Sequence, residues 1–310
     1  MKRENIKNLL VSFSGGETSA FMAQWLNNHY KELGYESIVF VFANTGLENN
    51  ETLEFVYDCQ NYFKIDIHWV EALVYSENRK GTGYVITDFE HATRLNSWKY
   101  RNDTPFEMMI KKYGIPNKSA PHCTRELKQA PINKFAKVWF NGEKYDTAIG
   151  IRIDEADRIN AKAKEKGFIY PLINKNMIPS SKPMINFYWR SMPFRLKLKG
   201  YQGNCTTCWK KADKKLFKIA NESPEKFEFM NEMEFRYSKF MPQSRVDKHI
   251  KESKEMPENV VFFRKNRSTQ QILNESKNFN ENVKDDSDIY TWQIDLLGGD
   301  SCEVFSDCSN

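Results

Sequence analysis

The feature that most limits what this chain can become is an apolar run that ends in two glycines and passes directly into a helical pattern. Leu9-Leu10-Val11-Ser12-Phe13 reads as a buried strand, Ser14-Gly15-Gly16 closes it, and Ala20, Phe21, Met22, Trp25 and Leu26 then recur at helical spacing. The alternation continues downstream. Ser37-Ile38-Val39-Phe40-Val41-Phe42 is a second strand that breaks at Asn44-Thr45-Gly46, and Glu51 to Phe63 reads as a helix through Leu53, Val56 and Tyr57. Ile65 to Val70 alternates as a third strand, and Asp146 to Ile151 supplies a further one. Strands separated by helices imply an α/β fold, with a mostly parallel sheet flanked by helices and joined by right-handed crossovers.

The middle of the chain is less regular. Pro105 to Tyr113 is predicted to be helical, and Thr124 to Trp139 is predicted to form a helix interrupted near Pro131. The polar, proline-containing stretch from Asn174 to Pro183 marks a boundary. It divides the chain into an α/β domain over residues 1–180, which carries the glycine turn, and a smaller, mainly helical, cysteine-containing region over 181–310 that is expected to pack over the site. Hydrophobic residues at 40% and aromatics at 14% supply enough apolar area for a core and argue against disorder. A formal charge of +5 suits a polyanionic substrate and is compatible with nucleic acid without requiring it. No run approaches the roughly 20 apolar residues of a membrane helix, and Met1 to Asn5 shows no signal peptide. A cytoplasmic setting is the expectation, so the six cysteines are read first as thiols or metal ligands.

The glycine turn has a chemical use. Glycines let backbone N–H groups converge on one point, and the helix N-terminus adds partial positive charge there. Ser12, Ser14, Gly15, Gly16, Thr18 and Ser19 form the candidate phosphate loop, with the Ser14 and Ser19 hydroxyls as donors. In an open parallel sheet ligands sit at the carboxyl ends of the strands, where strand order reverses. Asn44-Thr45-Gly46 and Gly150-Ile151-Arg152 both lie at such ends. Arg152 is a candidate for bridging phosphates, with Asp154 or Glu155 holding it or a Mg²⁺ ion. Arg125 and Lys128, three apart, would share a helical face and clamp an anionic tail. Taken singly, each pattern is equally a turn, a solvated basic helix or a surface charge run.

Ser14-Gly15-Gly16-x-x-Ser19 resembles the PP-loop of the adenine nucleotide α-hydrolase superfamily. Asn44-Thr45-Gly46 resembles the Asp-Thr-Gly element of phosphoadenosine phosphosulfate (PAPS) reductase-like proteins. Cys123-Thr124 with Lys128 and Pro131, and Gly150-Ile151-Arg152 with Asp154 and Glu155, are similar to two further segments of those proteins, as are Gly203 to Lys211 and Phe263 to Ser268. The resemblance runs over most of the chain and is nearest to the branch often encoded by phages and mobile elements. It implies a HUP-type fold and an adenine nucleotide (PAPS, adenosine phosphosulfate or ATP). It also implies an enzyme in which Cys123, Arg125, Lys128 and Arg152 carry the chemistry, with a thiol reductant or sulfur donor as partner. Three positions depart from the pattern: Glu17 stands where relatives carry a basic residue, Thr18 where Asp is common, and Asn44 where the acid would be.

Cys205-x-x-Cys208 is half of a tetrahedral thiolate site. Cys123 is the third candidate ligand, Cys302 or Cys308 the fourth, and His122 a substitute. A [4Fe–4S] cluster, a structural Zn²⁺ and free thiols all remain open, and the resemblance adds a tail cysteine acting as a mobile nucleophile. Cys59 reads as a small buried residue, and His29, His68, His91 and His249 lack ligand spacing. Lys210-Lys211 and Lys214-Lys215, interleaved with Trp209 and Phe217, form a basic stretch that suits either a solvated helix face or nucleic acid. Self-association is left open. Two function classes follow: a sulfonucleotide reductase or ATP-dependent sulfur-transfer enzyme, and a nucleotide-binding protein without turnover, whose support is Glu17 and Asn44.

Overall fold

Side-chain alternation along the first strand decides how the sheet is covered. A computed structural model describes residues 6–77, 79–95, 99 and 104–288; Cys302 and Cys308 lie outside the described residues. In β1 (Asn8–Phe13), Leu9, Val11 and Phe13 enter one apolar cluster and Leu10 enters another on the opposite face. β2 (Ser37–Asn44) repeats this, with Phe40 and Phe42 on the first face and Val39, Val41 and Ala43 on the second. Strands apolar on both faces need cover on both. α1 (Glu17–His29) and α2 (Asn50–Phe63) send Met22, Leu26, Leu53 and Val56 to the first face.

β3 (Ile67–Leu73) and β5 (Tyr145–Ala148) extend the parallel sheet on either side, giving six strands in the order β4-β3-β2-β1-β5-β6. Five strands run parallel, so the structure is α/β with a mostly parallel sheet. β4 (Gly83–Thr87) is an antiparallel edge, and β6 (Phe168–Ile169) is a two-residue edge. Neither belongs to the sequence reading. β4 is rich in β-branched and aromatic residues but half exposed, and β6 is too short for any period to register.

α3 (Phe89–Leu95) and α4 (Pro105–Tyr113) follow the edge strand. The stretch predicted as an interrupted helix is helical throughout: α5 (His122–Thr124), a π-helical turn over Arg125–Gln129, and α6 (Ala130–Trp139). Pro131 does not break it. A proline lacks the N–H and crowds the carbonyl four residues back, and the wider i→i+5 turn just before it relieves both demands. α6 covers the second face through Ile132, Phe135 and Ala136.

After α7 (Ala163–Lys166), α8 (Lys182–Arg190) returns to the first face. There Trp189 is fully buried against Phe55 at 4.9 Å between ring centroids, and its indole N–H donates to the Glu17 carbonyl at 3.0 Å. Burial of such a ring contributes about 1.5–3 kcal/mol. α9 (Asp213–Glu222), α10 (Glu228–Tyr237), α11 (Gln243–Lys251) and α12 (Thr269–Ser276) complete the α-helices of the described residues. Leu216, Ile219, Met230, Met233 and Ile272 build a third cluster with Phe106, Met109 and Leu127. No helix among the described residues is long and apolar enough to cross a membrane.

Candidate phosphate-loop site

β1 is central, β2 lies on one side and β5 on the other, so the connections leaving β1 and β5 diverge at their carboxyl ends. That divergence opens the crevice in which open α/β sheets bind ligands. Ser14 to Ser19 and Gly150 to Asp154 meet there. Gly15 has φ +86°, and a Cβ on it would lie 2.6 Å from the Thr52 methyl, so the turn needs glycine for both conformation and space. Gly16 is extended (φ −104°, ψ 161°) and caps α1 with no side-chain hydrogen bond. Gly150 lets the end of β5 approach the same helix, since a Cβ there would sit 3.3 Å from the Ser19 Cα.

The loop's hydroxyls are used on the loop itself. Ser14 Oγ donates to Ser19 Oγ at 3.0 Å, Ser19 Oγ donates to the Gly16 carbonyl at 2.9 Å, and the Ser14 N–H donates to Ser19 Oγ at 3.2 Å. These two hydroxyl protons are thus spent inside the turn, and what the turn offers at the start of the 13-residue α1 is backbone N–H groups and the positive end of the helix dipole. Ser12 is not in the loop: it is fully buried within β1, with no partner for its hydroxyl among the described residues.

Arg152 reaches this loop. Its guanidinium donates to Thr18 Oγ1 at 3.0 Å and pairs with Asp154 at 2.9 Å and Glu155 at 3.3 Å. Burial works against its charge, but Glu155 and Asp154 more than offset that and raise its pKa. Asp154 also accepts from the Lys182 N–H at 3.0 Å, so it serves to orient Arg152 and start α8.

Thr18, which accepts from Arg152, is one of three departures from the resembled pattern, and the other two, Glu17 and Asn44, also have partners. Glu17 is buried and pairs with Arg195 at 3.1 Å, and Arg195 in turn donates to the Ser287 carbonyl at 2.9 Å. A basic residue thus reaches the start of α1 from 178 positions away, where no sequence spacing could announce it. Asn44 donates to buried Glu71 at 2.7 Å and accepts from the Gly46 N–H at 3.2 Å. An aspartate there would set two carboxylates against each other.

Thr45 is likewise turned inward, its N–H and hydroxyl both held by Glu48 at 2.8 Å. Buried Glu48 pairs with Lys128 at 3.4 Å, and Cys205 lies 3.7 Å from Glu48 and 3.8 Å from Lys128. Glu48 closes the same strand-end stretch, two residues beyond Gly46, but nothing in the sequence pattern gives it a role. Burial pushes the Cys205 thiol well up, against the pull of Lys128.

Arg125 does not join Lys128. It is largely exposed and bonded to Glu126 at 2.7 Å, because in the π turn three residues no longer complete a turn and the two cations diverge. His122 is buried and spends Nε2 on the Gly114 carbonyl at 2.9 Å. Cys59 is a buried thiol in α2.

The Cys205 segment docks on the loop. Asn204 donates to the Ser14 carbonyl at 2.7 Å, its own carbonyl accepts from the Asn49 N–H at 2.8 Å, and Thr206 donates to the Leu47 carbonyl at 3.0 Å. Cys123, Cys205 and Cys208 are thiols lining one cavity. Among the described residues, however, no group of three or more His, Cys, Asp or Glu side chains is arranged to hold a metal. The ligand set expected for a cluster or Zn²⁺ also includes Cys302 or Cys308, which lie outside the described residues.

The chain is 32% identical to the uncharacterized nin region protein ORF290 of Escherichia phage lambda over 208 residues, which span 67% of this chain and 67% of that protein. No family model and no solved structure matches it.

Proposed function

The chain belongs to the family of the nin region protein ORF290 of phage lambda, and for it we propose an enzyme that binds an adenine nucleotide by its phosphates at the Ser14–Ser19 loop. The observation that carries this reading is the convergence of the uncapped N-terminus of α1, the Gly15-Gly16 turn and Arg152 at the divergence of β1 and β5. Backbone N–H groups and the helix dipole would hold phosphate or sulfate oxygens, and Arg152 would stabilise charge that develops on them. The Glu17–Arg195 pair supports binding over an inert loop, because it removes the repulsion an isolated carboxylate would exert.

The PAPS reductase-like resemblance makes sulfur chemistry the leading assignment, with two branches. One reduces a sulfonucleotide to sulfite at the expense of a thiol reductant. The other spends ATP to activate an acceptor oxygen that sulfur then replaces. Lys128 and Cys205, which line a cavity, put an ammonium and a thiol side by side for either branch. Incubation of the full chain with PAPS, adenosine phosphosulfate or ATP, followed by assays for sulfite and pyrophosphate, separates them. Sulfite from a sulfonucleotide supports the reductase, and pyrophosphate or AMP from ATP supports activation. Failure to bind or turn over any of the three would contradict the proposal.

A further inference from the structure

The two edges of the sheet are finished differently. Sheets guard an edge by making it short, charging it, or placing a proline or a bulge in it, because its outward N–H and C=O groups otherwise accept another strand. β6 has only two residues and is guarded by its shortness. β4 has five, Gly83-Tyr84-Val85-Ile86-Thr87, with no charge and no proline among them. It pairs with β3 residue for residue, from Gly83 opposite Leu73 to Thr87 opposite Trp69, so no bulge interrupts it. Alternate residues of such a strand turn their backbone groups away from the neighbour. Among the described residues, none of Gly83 to Thr87 makes a backbone–backbone hydrogen bond outside the β3 ladder.

The side chains on this edge are open as well. Ile86 is 69% exposed, and Val85 is exposed on the other face. Ile86 stands opposite Val70, on the face that α6 covers, next to Tyr84, whose ring meets Phe135 at 5.6 Å. α6 ends on that face in Val138 and Trp139, both exposed, with Trp139 packed on His68 at 4.5 Å. Charge brackets the strand: Arg79 and Lys80 precede it, and Asp88 and Glu90 follow it, all four exposed. Lys80 also meets Glu77 at 3.3 Å, and Asp88 meets His91 at 2.8 Å, but these are contacts between exposed side chains and hold little energy.

We infer that β4 is a self-association edge, pairing antiparallel with β4 of a second copy about a two-fold axis at Val85 and joining the two six-stranded sheets. The occupant is a second copy because the strand is complementary to itself. Rotation about Val85 sets Tyr84 opposite Ile86 of the partner subunit, an aromatic–β-branched pair that occurs on both sides of the axis, and Val85 opposite its own copy. The same rotation brings Arg79 and Lys80 against Asp88 and Glu90 of the partner subunit, so a basic end meets an acidic end twice. A strand of unrelated sequence would take the backbone bonds without these matches. Nothing in the pairing depends on the phosphate loop.

Sedimentation equilibrium of the full chain, with amide hydrogen exchange followed at low and high protein concentration, tests this. A strand of five residues makes a small interface, so a monomer–dimer equilibrium in the micromolar range is expected. Exchange at the Tyr84 to Thr87 amides should slow as the dimer fills. Ile86→Lys, at an exposed position, should leave the monomer folded and weaken the dimer at least about tenfold. Lys80→Glu and Glu90→Lys should each weaken it roughly threefold, and the double variant, which exchanges the charges of the two ends, should recover most of the loss. The charge variants keep the test decisive if Ile86→Lys fails to fold. A chain that stays monomeric at high micromolar concentration would overturn the inference. So would a dimer that leaves the β4 amides unprotected or withstands Ile86→Lys, since its contact would lie on another surface, such as exposed Met184 and Phe187 of α8.

Discussion

Glu17 is an acid at the start of a helix beside a phosphate loop, and its meaning depends wholly on Arg195. Alone it would favour the helix dipole and oppose an anionic ligand. Paired at 3.1 Å with a partly exposed guanidinium it does the first without the second. Removing one partner should therefore cost more than removing both. Arg195→Ala is expected to lower stability by about 1–3 kcal/mol, and Glu17→Gln in that background to recover much of the loss. Urea denaturation of the two single variants and the double variant measures the coupling. Additive losses would mean that the pair does no work. Asn44 carries a similar lesson, since its amide fits beside Glu71 where the aspartate of the resembled pattern would not.

At the scale of elements, the segment from His122 to Trp139 departs most from its sequence pattern. Helical spacing was legible, but the π turn that buries Lys128 and exposes Arg125 was not, because periodicity reports a mean and not a local widening. β1 and β2 were legible as runs apolar on both faces and β3 as an alternating one; the edges β4 and β6 were not, being exposed or short. The entry to the helical segment makes a pH prediction. Burial lowers the His122 pKa from 6.5 to about 4, with the Gly114 carbonyl pulling the other way. As pH falls from about 6.5 towards 4, the unfolded chain binds a proton that the folded chain refuses, so stability should fall by roughly 3 kcal/mol and then level for this group. His122→Gln, which keeps a donor for that carbonyl, should flatten the slope in denaturation midpoints between pH 7 and pH 4. An unchanged slope would assign the acid sensitivity elsewhere.

Over the whole molecule, the phosphate loop is built from pieces far apart in sequence: β1 and α1 supply its backbone, the end of β5 brings Arg152, Arg195 balances Glu17, and Asn204 ties down the Ser14 carbonyl. Only the first two pieces were legible, since they rest on local spacing, whereas Arg195 and Asn204 are joined to the loop by tertiary packing alone. The account stands or falls on whether that loop binds phosphate. Gly16→Val tests this most directly, because the extended backbone at Gly16 accepts a valine and an added Cβ would meet the Asn204 amide at 3.6 Å and the Ser14 hydroxyl at 4.0 Å, both ordinary contacts. The fold should survive while the approach of a phosphate to the loop N–H groups is blocked. In calorimetric titrations with ATP and with PAPS, the wild-type chain should release or absorb heat on binding at least one of them, and the folded variant should show none. Equal binding by the two proteins would contradict the account.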